Sequence, residues 1–253
     1  MSAISTMSVL TGRSMKHILR SPDTIITVCV MPIAMMLMFV YVFGGAIKSA
    51  LPAGTNYVTY QLPGIMLITV ASGVAYTALR VFTDRQKGIF SRLHTMPISR
   101  GAALWAHVTT SLVSNLVSVV IVVLVALAMG FRSSASFLDW LAIVGILILF
   151  TLALTWLAVI PGLTAKSAET AGAFSYPLIF LPFLSSAFAP TATMPLVVRV
   201  FAEHQPVTSI VDSLRALLTR QPVGSSIWIA LAWCVGITAL TYILAIRLYH
   251  KAA

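Results

Sequence analysis

The sequence predicts an all-α integral membrane protein with six transmembrane helices, an N-terminal interfacial helix, a cytoplasmic helix between helices 2 and 3, and external re-entrant helices between helices 5 and 6. Three observations lead there. Of the 253 residues, 59% are hydrophobic and 9% charged, whereas soluble chains run near 45–50% apolar and about 25% charged. The apolar residues come in uninterrupted runs of about 20, the length that crosses a roughly 30 Å hydrocarbon core at 1.5 Å per residue. The charges collect between those runs, as loops at a membrane surface require.

Residues 1–21 carry Arg13, Lys16 and Arg20 along one side of a potential helix, with Met7, Leu10, Ile18 and Leu19 near the helical period. That pattern suits a helix lying in the membrane surface. A cleaved signal peptide competes with this reading, but the following run, 25–46, is too long for a signal core and lacks a small-residue cleavage site, which makes it the first span. Further spans are expected at 57–79, 102–129, 138–161, 171–189 and 226–246. Each is long enough to cross with some tilt. Six spans put both termini on one side. Eleven of the sixteen Lys and Arg residues fall on that side, which makes it cytoplasmic by the excess of basic residues in inner loops. No internal repeat divides the chain, so 1–253 reads as a single transmembrane domain.

The net charge of +10 would raise nucleic acid as a partner for a soluble protein. Here topology and contact with anionic membrane lipid account for it, and no nucleic-acid partner is expected. Cys29 and Cys234 lie inside apolar runs, where thiols behave as small hydrophobes, so neither a disulfide framework nor a metal site is expected. Ion-coupled carriers usually keep ionisable groups at mid-membrane, and the six runs carry none there. His107 comes nearest, and either an interfacial packing role or a proton relay fits its position. The chain has no GxxxxGK[ST] phosphate loop, no His-Glu-x-x-His pair and no Gly-x-Ser-x-Gly elbow, so neither a catalytic residue nor a metal or cofactor site is expected in it. Energy for driven transport must enter from outside.

Two connections stand out. The segment 84–97 is the densest in basic residues and places Ile89, Phe90, Leu93 and Met96 on one face of a short helix, with Arg85 and Arg92 elsewhere on it. Asp84 near a helix start suits the dipole, and Pro97 stops the helix. Such a rod could carry a push to two spans, or it could rest on headgroups as a basic loop. The segment 194–218 keeps Val207, Ile210, Val211, Leu214 and Leu218 at helical spacing behind Pro206, with Asp212 and Arg215 three residues apart and able to pair. It is too short and too polar to span, and it reads as dipping into the outer leaflet.

At these two segments the sequence resembles a known group. Asp84-Arg85-x-Lys87-Gly88, then Arg92, Pro97 and Ser99-Arg100, followed by a long span ending Gly130-Phe131-Arg132, is similar to the ABC type 2 exporter permeases of the daunorubicin-resistance group. The run Phe183 to Phe188, Pro190, Thr193-Met194-Pro195 and Phe201 to Thr208 agrees with the same group. The resemblance implies two permease subunits, alike or unlike, paired in a bacterial inner membrane, with two ABC ATP-binding subunits on the cytoplasmic face. Those partners would bind ATP and Mg. It makes 84–97 the coupling helix, with Asp84, Arg85, Lys87, Gly88, Phe90, Arg92, Leu93 and Pro97 meeting the ATPase. The broader family often has Glu-Arg-Glu where this chain has Asp84-Arg85-Gln86, so no salt bridge is carried over to Gln86. The external re-entrant helices would form an outer gate containing Phe201, Glu203, His204, Gln205, Pro206, Asp212 and Arg215. Glu203, His204 and Gln205 fit either that role or a solvated loop.

A substrate path would have to come from the spans. Met31 and Met35, among the methionines of the first span, and Ser111 and Asn115 on one face of the third are the candidates. Each set also fits helix packing. The resemblance implies a permease that moves a lipophilic drug-like compound or lipid outward. A passive channel or a membrane scaffold are the alternatives, although a channel should have a polar pore lining.

Overall fold

The computed structural model describes residues 26–48, 56–90 and 102–252, and every regular element among them is helical. The predicted interfacial helix 1–21 lies outside the described residues. The first predicted span alternates in type. A π-helical stretch Ile26–Val30 precedes α1 (Met31–Met38), and a second one, Phe39–Phe43, precedes α2 (Gly44–Lys48). Pro32, in the first turn of α1, has no N–H to give to residue 28, so the ladder cannot continue through it as a regular α-helix.

The core is organised around α3 (Tyr57–Gln86). Asn56 caps it, its Oδ1 accepting from the Val58 N–H at 2.9 Å. Within its most apolar stretch 78% is buried, against 61% for α5 (Phe137–Thr164), 33% for α4 (Ala102–Ala128) and 22% for α10 (Ser226–Ala252). Thus α3 is the central post and α10 the outermost. Between helices in a bilayer there is no water to expel, so association depends on close approach and on hydrogen bonds. The sequence supplies both. A Cβ at Gly73 would stand 2.1 Å from Asn115 Oδ1 of α4, so only glycine admits that side chain to the α3 backbone. Ser111 Oγ and Thr155 Oγ1 meet at 3.1 Å between α4 and α5. The N-terminus of α5 is set by a reciprocal cap: the Asp139 N–H donates to Ser136 Oγ at 3.3 Å and the Ser136 N–H donates to Asp139 Oδ2 at 2.7 Å.

Among the described residues, four helices, α3, α4, α5 and α10, are long and apolar enough to cross a membrane unbroken. They correspond to predicted spans two, three, four and six. The fifth predicted span, 171–189, is not one continuous helix. It is divided into α6 (Ala168–Ala173), α7 (Ser175–Phe180), a 3-10 turn Leu181–Leu184 and irregular backbone to Pro190. Pro177 and Pro182 explain the division, since each removes a donor from any continuous ladder. A 3-10 turn Thr191–Thr193 then leads into α8 (Leu196–His204) and α9 (Pro206–Leu218). Both fall within 194–218, where helical structure is expected, and Pro206 stands at the first position of α9, where its missing N–H costs nothing.

Candidate functional site

The polar chemistry gathers at the two ends of α3. At its N-terminal end, the broken backbone after α7 leaves carbonyls outside any α-helical ladder, and buried carbonyls need other donors. Side chains do so one by one. Gln205 Nε2 donates to Leu181 O at 3.1 Å and to Leu184 O at 2.8 Å. Arg215 Nη2 donates to Ser186 O at 2.6 Å, and the Tyr57 hydroxyl donates to Phe188 O at 3.3 Å. Ser185 Oγ donates to Pro182 O at 2.6 Å and accepts from the Ala187 N–H at 3.1 Å.

Arg215 is the hub of this end. Its Nη1 lies 2.9 Å from Asp212 Oδ1, its Nε donates to Tyr60 O at 3.2 Å, and its guanidinium carbon sits 3.9 Å from the Tyr60 ring centroid. Ser186 Oγ donates to the same Asp212 oxygen at 2.6 Å. One cation therefore joins α9, α3 and the broken fifth segment, with charge-assisted bonds and a ring face. The Asp212–Arg215 pairing read from the three-residue spacing is present. Val207, Ile210, Val211, Leu214 and Leu218 are all buried, as the helical periodicity of α9 requires.

The neighbouring candidates behave differently. Glu203 is tied to Arg199 Nε at 2.8 Å and to Thr191 Oγ1 at 3.4 Å, both exposed. The hydrogen bond from Arg199 is the main reason its carboxyl is held below the usual range. His204 Nδ1 lies 2.8 Å from Val200 O, and Phe201 is 49% exposed. Of the sequence Glu203-His204-Gln205, then, only Gln205 is buried in the chain's own packing.

At the C-terminal end of α3, the expected helix start at Asp84 is corrected. Nothing breaks α3 after residue 79, so it runs through Gln86, and Asp84 and Arg85 belong to its last turns. The break falls at Gly88, whose φ of +65° ends the helix in the left-handed region that glycine tolerates. Helical backbone resumes at Ile89 and Phe90. The rod expected over 84–97 is therefore jointed at its fifth residue. Asp84, which would be poorly placed at a helix C-terminus, has His107 Nε2 at 3.1 Å. That contact gives His107 a packing role between α3 and α4.

Arg85 caps the far end of α5: Nη2 donates to Ala165 O at 2.9 Å and Nη1 to Leu163 O. Phe90 is buried and meets Tyr249 edge-on, with ring centroids 5.3 Å apart. Lys87 is exposed. Arg92, Leu93 and Pro97 lie outside the described residues. Of the substrate-path candidates, Met31 is 57% exposed and Met35 packs partly against the core. Ser111 and Asn115 are buried in the α3–α4–α5 contact, where Asn115 Nδ2 donates to Ser111 O at 2.8 Å.

The sequence reading missed Tyr57, Tyr60 and Ser186, whose partners are 131, 155 and 26 residues away. The one available signal was the pair of prolines, which predicts orphan carbonyls in need of donors. Among the described residues, no three His, Cys, Asp or Glu side chains gather closely enough to hold a metal ion.

The model of a family described as ABC-2 type transporter matches residues 6–219. The daunorubicin resistance ABC transporter permease protein DrrB1 of Streptomyces coeruleorubidus is 27% identical over 253 residues, covering 98% of this chain and 87% of that protein. The probable doxorubicin resistance ABC transporter permease protein DrrC of Mycobacterium tuberculosis is 22% identical over 244 residues, covering 96% and 87%. The putative transport permease ycf38 of Porphyra purpurea is 26% identical over 220 residues, covering 86% and 75%.

Proposed function

We propose, from the premise that this chain belongs to the ABC-2 type transporter family, that it is the permease subunit of an ATP-driven exporter, moving a lipophilic drug-like compound or lipid outward. The observation that carries the reading is similarity over almost the full chain to permeases named for daunorubicin and doxorubicin resistance. ATP and Mg are bound by separate ABC subunits, two per complex, beside a second permease subunit. The chain crosses a bacterial inner membrane six times with both termini cytoplasmic. In that arrangement the segmented first and fifth spans each cross, and α8 and α9 lie on the outer side.

The C-terminal end of α3 suits coupling. Exposed Lys87 and the Gly88 joint form an articulation between a basic segment and the helix ends that Asp84, His107 and Arg85 hold together. A partner pressing on the segment after Gly88 would act on α3, α4 and α5 at once. Arg85 and Phe90 contribute by anchoring that articulation, leaving Lys87, Arg92 and Leu93 for the partner itself.

The test is co-expression with a candidate ATP-binding subunit, reconstitution in lipid and measurement of ATPase activity. Co-purification, with stimulated activity lost in Arg92→Glu and Leu93→Asp, is the expected result. Failure to associate with any ATP-binding subunit overturns the proposal. Labelling of single cysteines placed in 194–218 and near the C-terminus, with a reagent that does not cross the membrane, tests the orientation.

A further inference from the structure

Near the end of α3 one cation lacks the partners that its surroundings demand. Arg80 directly follows the predicted second span, and its Nη2 donates to Thr77 Oγ1 at 3.1 Å on the same helix. Its Nε and Nη1 are shut away from solvent and bind no partner among the described residues. A guanidinium has five donors and no acceptor, so a desolvated one without a counter-charge is strongly unfavourable. Facing it from α4, His107 is only half satisfied. Its Nε2 meets Asp84 Oδ2 at 3.1 Å, while Nδ1 is buried with no partner among the described residues.

Asp84 can serve either group. It lies one turn beyond Arg80 on α3, and side chains four residues apart on a helix are neighbours at about 5–6 Å. The other described acids are engaged elsewhere or open to solvent. Asp139 caps α5, Glu203 pairs with Arg199, Asp212 pairs with Arg215, and Glu169 is exposed in the first turn of α6. As the chain stands, the carboxylate is on the imidazole, which ties α3 to α4 and leaves the guanidinium bare. Rotation of the Asp84 side chain to another rotamer reverses this: a charge-assisted bond forms within α3, and the bond between helices is released. Each arrangement satisfies one group and strips the other, which is the balance that a two-state element needs.

We propose that Asp84 exchanges partners, bonding His107 in the arrangement described and Arg80 when α3 and α4 part at this end, so that Arg80 is a positioning residue for coupling. The link to coupling rests on the function proposed above, in which a partner presses on the segment after Gly88. The exchange itself does not.

The full chain, purified in mixed micelles, is unfolded by denaturant and followed by tryptophan fluorescence. Arg80→Met should raise the midpoint or leave it unchanged, because it removes a charge that has no partner. In a His107→Phe background, where Asp84 is free to turn, the same substitution should lower the midpoint. That reversal of sign is the signature of an exchanged partner. If His107→Phe does not fold, His107→Ala is the background. A midpoint lowered by Arg80→Met in the wild type shows that the guanidinium is already bound, by a lipid phosphate or another part of the chain, and overturns the proposal. An Arg80→Met effect that the His107 substitution leaves unchanged also overturns it. In the reconstituted complex, stimulated ATPase activity should fall about tenfold in Arg80→Met, within the usual range of coupling between sites, and Arg80→Lys should restore much of it. Lost stimulation with an undiminished midpoint is a result that a purely structural role would not give. Full stimulation in Arg80→Met overturns the role in coupling. Failure of any ATP-binding subunit to associate refutes the exporter reading instead, and the micelle measurement still decides the exchange.

Discussion

Replacing Gln205 with Leu removes a donor while nearly conserving volume, and the cost can be worked from its contacts. Two neutral hydrogen bonds are lost, to Leu181 O and Leu184 O, and Leu184 O stands at the end of the 3-10 turn, where the regular ladder has stopped. A neutral bond contributes about 1 kcal/mol net, and a buried carbonyl left orphaned costs about 1–3 kcal/mol. Against this, Gln205 Oε1 has no partner, so its removal returns roughly 1 kcal/mol. Interhelical hydrogen bonds in membranes average only about 0.6 kcal/mol, which places the net loss near 2 kcal/mol. Equilibrium unfolding of the purified chain in mixed micelles, followed by tryptophan fluorescence, measures it. His204→Ala, on an exposed neighbour, should leave the midpoint unchanged. A Gln205→Leu midpoint that coincides with it would refute the claim that this side chain sustains the broken fifth segment.

Three further outcomes follow from the same geometry. Gly73→Val forces a Cβ into Asn115 and should destabilise by about 3 kcal/mol or more in the same assay, with Asn115→Ala partly relieving the loss. Arg85→Ala uncaps α5 at Ala165 and should cost about 1–2 kcal/mol, with Arg85→Lys intermediate because an ammonium cannot bind both carbonyls in the same fork. The folded-state pKa of Glu203 is depressed by Arg199, so its contribution is fully present above the unfolded value of about 4.3 and is lost as pH falls through the lower folded value. The stability gap between wild type and Glu203→Gln should be constant from pH 8 to about pH 5 and close below about pH 4.

Much of the architecture was legible because hydrophobic run length is a direct readout of bilayer thickness. The four unbroken helices α3, α4, α5 and α10 fall on predicted spans, and the apolar face of α9 could be read residue by residue. What escaped was of two kinds. The end of α3 extends past the apolar run because Asp84, Arg85 and Gln86 are acceptable in a helix once His107 and the end of α5 supply partners; run length reports where the membrane stops, and a helix can continue beyond it. The fifth segment was read as a span from its composition, although Pro177 and Pro182 already argued against a continuous ladder. Its partners could not be named from sequence, since Tyr57, Gln205 and Arg215 reach it across 21 to 131 residues.

The notch at Gly73 has a mechanical consequence. It lies near the midpoint between Tyr60, which holds Arg215, and Asp84, which meets His107. These two residues are 24 positions apart, about 36 Å along the axis. A largely buried helix that rests on Asn115 at its middle has arms of equal length on either side. Tilting it by about 10° carries each end roughly 3 Å in opposite directions, several times the spread of lengths that a hydrogen bond tolerates. The contacts at Tyr60 and Asp84 therefore cannot both survive such a tilt, and Gly73 is the fulcrum through which a load at one end is felt at the other.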